Sequence, residues 1–218
     1  NNEKGNSSIK KWEKEINKSL SDLNLNNKKK YKLSPNIKKK IVKKFNMVKK
    51  EVGIDFIKKH NEGKIGNPKA YYYKKLYLTK RDLNCIYYAW RIQGIKQFLS
   101  ESPIILEIGG GVGYLPGKLK KIFPTAKIIL IDLPEVSCMQ RVYLYKLLPK
   151  AKIFDYAIYK KKGLNSFFRN RYDFAFLPPK VIKDVKNKQI DLVINTQSMM
   201  EMDREVVKNY MFQINRIV

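Results

Sequence analysis

The pattern of apolar and polar positions divides the chain into a lysine-rich first part and a second part built from short apolar runs. In the first part, apolar residues recur every three or four positions over Ser8–Leu23 and again over Pro35–Val52. This spacing is typical of amphipathic helices. Ser34 before Pro35 is a frequent helix start, so we predict that the second helix begins there. Residues 1–62 are expected to form a helical region, whose apolar stripes either pack inward or lie on an anionic membrane.

Residues 63–102 are expected to connect the two parts. Glycines and a proline interrupt this stretch at first, and a cluster of tyrosines follows. The tyrosines either pack a connecting loop or cover a sugar or aromatic ligand, which makes Tyr72 a candidate substrate contact. Thr79 with Asp82 three residues later resembles a capping box, and the apolar spacing after it predicts one long helix over Thr79–Ser100.

The second part alternates apolar runs of strand length with segments of helical period. Strands are predicted at Pro103–Ile108, Lys127–Asp132 and Ile190–Asn195. A further strand is either Ala151–Tyr156 or Tyr172–Leu177, and we favour the latter because a short helical turn leads from it to the last strand. Such alternation is typical of a parallel α/β sheet.

Residues 103–218 are thus predicted to be a Rossmann-like α/β domain. Its helices are expected at about Leu115–Phe123, from Pro134 onward, and from about Met199 to the end. The pattern stops after that last helix, although open sheets of this kind usually continue with further strands. Because an uncovered apolar edge strand also favours aggregation, we expect the domain to be C-terminally incomplete in this chain.

The turn after the first of these strands carries the residues on which the functional prediction depends. It reads E-I-G-G-G-V-G, with an acid at Glu107 and glycines at alternate positions from Gly109 to Gly113. A dinucleotide fingerprint, G-x-G-x-x-G, needs a glycine where this chain has Tyr114 or Pro116. The alternating glycines instead suit a cofactor without phosphate, whose amino-acid part lies across the turn.

A second acid, Asp132, ends the next strand. A carboxylate at that place can accept hydrogen bonds from both hydroxyls of a ribose. The glycine turn, its spacing and the second acid together predict S-adenosylmethionine as the cofactor. The alternative for Glu107 and Asp132 is a purely structural role, at a strand end or a helix cap.

Four segments carry a resemblance to a known family. They are G-N-P at Gly66–Pro68, L-E-I-G-G-G-V-G at Leu106–Gly113, I-D-L-P-E-V at Ile131–Val136 and N-T-Q-S-M-M-E-M at Asn195–Met202. In this combination the chain resembles the sugar O-methyltransferase family within the class I S-adenosylmethionine-dependent methyltransferases. The resemblance covers residues 63–218 and implies methyl transfer to a sugar hydroxyl in glycan or surface polysaccharide synthesis.

The resemblance also assigns cofactor-binding residues by position. Asp132 would bind the ribose hydroxyls, and Leu133 would flank the adenine. Asn195 would face the cofactor and the acceptor at the end of the fourth strand. The turn that would line the methionine and ribose parts consists of Glu107, Gly109, Gly111 and Gly113.

Candidates for acting on the acceptor lie in the Asn195–Met202 segment and before the G-N-P loop. Glu201 could orient or deprotonate a hydroxyl group, and Gln197 could form a hydrogen bond with a sugar. Ser198 and Glu201 equally fit a capping box for the last helix, which is a structural role. His60, the only histidine, is another candidate base because its ordinary pKa is near neutrality. The alternative is an exposed residue at a helix end that takes no part in catalysis.

The chain is strongly basic, with a formal net charge of +27. Such a surface attracts polyanions, which favours RNA or an anionic membrane as a partner. Only 7 of the 46 basic residues are arginine, however, whereas surfaces that read bases and phosphates favour the bidentate arginine fork. A codon bias toward lysine and asparagine explains the charge without nucleic acid. The substrate that the resemblance implies is a sugar, a nucleotide sugar or a glycan.

Two other functions stay open beside sugar methylation. An RNA methyltransferase fits the charge, yet enzymes that methylate base amines usually carry an N/D-P-P-aromatic turn after the fourth strand. This chain has Asn195-Thr196-Gln197-Ser198 at that place. A non-catalytic cofactor-binding module fits a domain that lacks part of its acceptor pocket.

Cysteine usage and the length of apolar runs bear on the compartment. Cys85 and Cys138 are far apart and outside any C-x-x-C, which is typical of free thiols in a reducing compartment. With His60 they are too scattered to predict a zinc site. No apolar run approaches the roughly 20 residues that span a bilayer, and the polar N-terminus carries no secretory signal. The sequence therefore predicts a cytoplasmic protein without a metal.

Overall fold

The computed structural model describes residues 33–66 and 68–218, so the predicted helix Ser8–Leu23 lies outside the described residues. The described part consists of a helical region, which we call the cap, and a parallel α/β domain. The cap ends before residue 103, where the first strand of the α/β domain follows. The predicted fold class, a Rossmann-like sheet preceded by a helical region, is confirmed.

The cap contains the described elements α1 (Pro35–Val52), α2 (Ile54–His60), β1 (Tyr71–Tyr73), β2 (Leu76–Leu78) and α3 (Lys80–Gln93). Helix α1 begins as predicted, because the Ser34 hydroxyl accepts a hydrogen bond from the Ile37 amide at 3.4 Å. The apolar stripe of α1 packs inside the cap. Strands β1 and β2 pair antiparallel and form a hairpin. The core that α1 shares with α2, this hairpin and α3 includes Ile41, Phe45, Val48, Ile57, Leu78, Leu83 and Ile86.

Helix α3 is shorter than the apolar spacing predicted. It ends at Gln93, and a short 3₁₀ turn follows at Lys96–Phe98. Gly94 lies at the break, and glycine is the weakest helix former apart from proline. Phe98, which lies beyond the break, is exposed. No described helix is long and apolar enough to cross a bilayer.

The α/β domain is built on five parallel strands: β3 (Ile104–Ile108), β4 (Lys127–Ile131), β5 (Ile153–Phe154), β6 (Phe174–Leu177) and β7 (Leu192–Ile194). Their spatial order is β5-β6-β4-β3-β7. The preferred segment Tyr172–Leu177 therefore does supply the neighbour of β4. The alternative segment, Ala151–Tyr156, also belongs to the sheet, because it contains the two-residue edge strand β5.

Five helices of the described residues connect and cover these strands: α4 (Tyr114–Ile122), α5 (Pro134–Leu147), α6 (Tyr156–Lys162), α7 (Asn165–Arg169) and α8 (Arg204–Ile217). Strand β3 pairs with β4 on one side and with β7 on the other. The strand order thus reverses beside β3. Open α/β sheets bind their ligands at such a switch point, outside the carboxyl ends of the strands.

The buried face of α5 includes a polar residue. Gln140, Tyr143 and Leu144 are buried, whereas Met139 is exposed. The Gln140 side-chain amide donates a hydrogen bond to Asp132 at 2.7 Å, which satisfies its nitrogen. This face of α5 therefore contacts the acid that follows β4.

The last helix also starts later than predicted, at Arg204 rather than near Met199. Ser198–Glu201 forms a separate 3₁₀ turn before it. The Ser198 hydroxyl donates a hydrogen bond to the Ile108 carbonyl at 3.1 Å, at the end of β3. The capping-box interpretation of Ser198 and Glu201 is therefore wrong.

A cluster of buried charges joins the cap to the α/β domain. The Lys118 side chain on α4 is fully buried, and its Nζ lies 2.7 Å from Asp82 on α3 and 3.1 Å from Glu62. The other Glu62 oxygen lies 2.6 Å from Nζ of Lys121, and the Tyr143 hydroxyl donates to Glu62 at 3.1 Å. We call these five residues the cap cluster.

Charges balance within the cap cluster, because two carboxylates face two ammonium groups. Burial alone would lower the pKa of Lys118, but the carboxylates of Asp82 and Glu62 outweigh burial and raise that pKa above its ordinary value. Burial acts to raise the pKa of Glu62, yet Lys118 and Lys121 hold it below its ordinary value. The cluster fastens the start of α3 to the domain, beside the switch point.

Candidate active site

A cavity of about 620 Å³, which we call the cleft, opens at the switch point of the sheet. Its volume is within the range typical of small-molecule sites. Its walls come from the start of α3, the glycine turn after β3, the end of β4 and the segment between β7 and α8. The titratable side chains that line it are Lys80, Arg81, Cys85, Tyr88, Glu107, Tyr114, Asp132, Glu201 and Tyr210.

The glycine turn forms the floor of the cleft. Gly109, Gly111 and Gly113 have φ angles between 60° and 96°, in the left-handed region that residues with a Cβ rarely adopt. Space is a second requirement at Gly109, where an added Cβ would lie 1.9 Å from the Ser198 hydroxyl oxygen. Gly109 and Gly111 line the cleft, whereas Gly113 precedes α4 and faces Leu144.

Glu107 lies in β3 beneath this turn and is 2% exposed. Its Oε2 would be 2.8 Å from a Cβ at Gly110, and no described residue donates a hydrogen bond to that oxygen. Burial and the negative charge of Asp132 raise the pKa of Glu107 to about 8. Because an unsatisfied buried carboxyl group is costly, its position at a cleft indicates a group that a ligand satisfies.

Asp132 follows β4 and lines the cleft beside Glu107. Its Oδ1 accepts a hydrogen bond from the Leu133 amide at 2.9 Å, and its Oδ2 accepts one from Gln140 at 2.7 Å. Burial raises the pKa of Asp132, and these hydrogen bonds offset part of that effect. Each carboxylate oxygen has a second lone pair, so Asp132 keeps capacity for ligand hydroxyls. Leu133 is exposed and lines the cleft as well.

Asn195 stands after β7 but does not belong to the lining of the cleft. Its side-chain amide donates to the Ile108 carbonyl at 2.9 Å and to the Ser198 hydroxyl at 2.6 Å. Its Oδ1 accepts a hydrogen bond from the Met199 amide at 3.4 Å. These bonds fasten the segment after β7 to the end of β3, so the structure places Asn195 as a brace behind the cleft.

Gln197 and Glu201 line the wall that the segment between β7 and α8 contributes. Both side chains are exposed. Met202 and Val206 lie in the same wall and give it an apolar surface. This wall thus combines one carboxylate and one amide with an apolar surface, as in many small-molecule sites.

The structure brings neither His60 nor Tyr72 into the cleft. His60 is buried at the end of α2, where its ring centroid lies 4.4 Å from that of Phe56. Burial lowers the pKa of His60 to about 4, and no described residue bonds its Nδ1. Tyr72 is 58% exposed on the hairpin, and its ring packs on Tyr77 at 4.8 Å.

Three residues that the sequence did not single out contribute to the cleft. Arg81 and Tyr210 line it, and Gln140 orients Asp132 from behind. A signal existed for Gln140, because a glutamine interrupts the apolar spacing between Val136 and Tyr143 on α5. For Arg81 and Tyr210 the sequence carries no comparable signal, since their positions depend on how the cap and α8 pack.

Comparison with known proteins does not assign a function to the cleft. No family model matches the sequence, and no curated protein matches it. Among solved structures, the chain is similar to the mitomycin 7-O-methyltransferase MmcR, with 15% sequence identity and a TM-score of 0.32. The match covers 80% of this chain and 45% of that chain. The chain therefore spans less than half of that enzyme's length, and a likeness this distant carries no argument about activity.

Proposed function

We propose that this protein is an S-adenosylmethionine-dependent O-methyltransferase that acts on a sugar hydroxyl. The observation that carries the proposal is the pairing of Glu107 beneath the glycine turn with Asp132 at the end of the adjacent strand, in one cleft at the switch point. An acid at each of these places matches the ammonium group and the ribose diol of the cofactor. The sugar as acceptor rests on the resemblance of residues 63–218 to sugar O-methyltransferases.

The residues of the cleft fit this cofactor. Oε2 of Glu107 is a buried oxygen without a described donor, and an ammonium group would satisfy it. Asp132 keeps acceptor capacity for the ribose hydroxyls, and Leu133 offers an apolar surface to the adenine. When bound, the cofactor would supply a methyl group on a positively charged sulfur, which is already activated for transfer.

The protein's own contribution is to hold the acceptor and to receive its proton. In this proposal Gln197, which lines the cleft, forms a hydrogen bond with a sugar hydroxyl, and Glu201, which also lines it, accepts the proton of the reacting hydroxyl. Alignment of the acceptor is the larger effect, because orientation alone lowers such barriers by several kcal/mol, on the order of 7–11 in the best cases.

Binding and transfer test the proposal in two stages. Titration calorimetry with S-adenosylmethionine should detect binding to the cleft, and a labelled methyl group should then appear on one member of a panel of nucleotide sugars and glycans. The same assay includes total RNA, because the net charge of +27 favours RNA as the second candidate acceptor. Transfer to RNA alone would replace the sugar proposal, and binding without any transfer would favour a non-catalytic module.

A substitution of Glu201 tests its role as the proton acceptor. Glu201→Gln should lower kcat by about 100-fold, because general bases contribute roughly 10²–10⁴-fold, while cofactor binding stays unchanged. Glu205→Gln is the matched control, since Glu205 is an exposed acid on α8 that pairs with Lys208 at 2.6 Å. Equal activity of the two variants would show that Glu201 is not the base.

A further inference from the structure

Arg81 is a second charged group on the cleft floor, and the cofactor site described above does not use it. It lies in the first turn of α3 and reaches the glycine turn from the cap side. Its Nη1 would be 3.3 Å from a Cβ at Gly111, just as Oε2 of Glu107 would be 2.8 Å from a Cβ at Gly110. A guanidinium and a carboxyl group thus flank two consecutive glycines of the turn, and both line the cleft.

The fold itself makes no use of the Arg81 guanidinium. Within residues 33–66 and 68–218, no hydrogen bond or ion pair involves its side chain. The next residue, Asp82, by contrast has one oxygen 2.7 Å from Lys118 and the other 2.8 Å from the Asn61 amide. These bonds hold the first turn of α3 in place. The backbone of Arg81 is therefore fixed, while its guanidinium group is available to a ligand.

The charges of Arg81 and Glu107 also act on the same lining residue. Burial raises the pKa of the Cys85 thiol to about 12, with a smaller raising effect of Glu107 and a smaller lowering effect of Arg81. Cys85 lies one helical turn after Arg81 on α3 and lines the cleft. Since Arg81 and Glu107 also lie against two consecutive glycines of one turn, the positive and the negative group are close enough to serve one small ligand group.

We propose that Arg81 and Glu107 together bind a zwitterionic α-amino-acid group, with Glu107 on its ammonium and Arg81 on its carboxylate. Guanidinium groups pair with carboxylates through two parallel hydrogen bonds, which gives both strength and orientation. The inference rests on the proposed function, in which this group is the methionine end of S-adenosylmethionine. It adds Arg81 as a residue that selects ligands with a free carboxylate.

The test compares two ligands and three forms of the protein by titration calorimetry. The ligands are S-adenosylmethionine and its decarboxylated analogue, which keeps the ammonium and lacks the carboxylate. The wild-type chain should bind S-adenosylmethionine more tightly than the analogue. Arg81→Gln should weaken binding of S-adenosylmethionine by about 10- to 100-fold, the usual worth of hydrogen bonds to a charged group, and change binding of the analogue little.

Arg91→Gln is the matched control, because Arg91 lies on the same helix and, among the residues that the structure describes, its side chain bonds only Tyr87, at 3.2 Å. It should bind both ligands as the wild type does, and Arg81→Lys should recover part of the lost affinity. Equal loss for both ligands in Arg81→Gln, or no loss, would overturn the role of Arg81 and leave the proposed function standing. Failure of the wild type to bind S-adenosylmethionine would overturn the proposed function instead.

Discussion

The cap cluster and the cleft floor both bury acids, but those acids differ in their partners. In the cap cluster, Lys118 lies 3.1 Å from Glu62 and 2.7 Å from Asp82. On the cleft floor, an oxygen of Glu107 has no donor among the described residues. Lys118 and Lys121 hold the pKa of Glu62 below its ordinary value, whereas burial raises the pKa of Asp82 despite Lys118, and burial without a cation partner in the described part of the chain raises the pKa of Glu107 to about 8.

Cation partners thus distinguish the acids of the cap cluster from Glu107. The low pKa of Glu62 means that its contribution to stability is present above pH 4.5 and is lost as the pH falls below it. The contribution of Glu107 to the free energy of unfolding changes with pH in the opposite direction. The unfolded chain ionises Glu107 near pH 4.5 and the folded protein only near 8, so rising pH across that window lowers the free energy of unfolding.

The largest expected effect comes from breaking the cap cluster. Lys118→Met leaves the carboxylates of Asp82 and Glu62 buried without their shared cation. We expect the free energy of unfolding to fall by about 3–5 kcal/mol, as for other buried ion pairs that lose one partner. Urea unfolding followed by circular dichroism measures this change.

Lys121→Met is the control for that experiment. Lys121 also pairs with Glu62, at 2.6 Å, but its side chain is 34% exposed. Solvent screens this pair, so its loss should cost less than about 1 kcal/mol. If the two variants lose the same stability, the cap cluster is not the anchor that its geometry indicates.

The second effect should appear in ligand binding rather than in stability. Asp132→Asn removes the charge at the end of β4, and we expect affinity for S-adenosylmethionine to fall by about 10- to 100-fold because charge-assisted hydrogen bonds to the ribose are lost. Asp203→Asn changes an exposed acid with no side-chain hydrogen bond at the start of α8 and should bind normally. Normal binding by Asp132→Asn would remove Asp132 from the cofactor site.

A smaller effect concerns His60 and acid stability. Burial lowers the pKa of His60 to about 4, so the folded protein keeps the ring neutral while the unfolded chain protonates it near 6.5. His60 by itself should therefore make the free energy of unfolding decline as the pH falls from 6.5 toward 4, in the opposite direction to the contribution of Glu107. His60→Phe lacks this contribution, so its urea midpoint should rise relative to that of the wild type as the pH falls across this window, and the proposed methyl transfer should stay unchanged. A difference in midpoint that does not change with pH would contradict the burial of a neutral ring.

The sheet and its ligand end were predictable from the sequence because their signals are local. Strands β3 and β4 are continuous apolar runs, and each leads to an acid at its carboxyl end. Parallel strands bring those ends together at one edge, which is why Glu107 and Asp132 meet in the cleft. Residues whose place follows from strand register could thus be assigned without a structure.

Residues whose place depends on packing between distant segments could not be assigned. His60 was a candidate base by its chemistry, but the contact of its ring with Phe56 and the fold of the cap turn it inward. Asn195 was placed at the correct strand end, yet its bond to the Ile108 carbonyl directs the amide away from the cleft. Lys118 shows no signal at all, because its partner Glu62 lies 56 positions away in the chain.

The central claim is that Glu107 is a buried acid which waits for the ammonium group of S-adenosylmethionine. An ion pair with that group would lower the pKa of Glu107 from about 8, so binding should displace its proton. Titration calorimetry at neutral pH in buffers of different ionisation enthalpy measures this release. We predict roughly one proton released per site in the wild type and almost none in Glu107→Gln, by proton linkage. Binding without proton release, equal release in both forms, or no binding by the wild type would contradict the account.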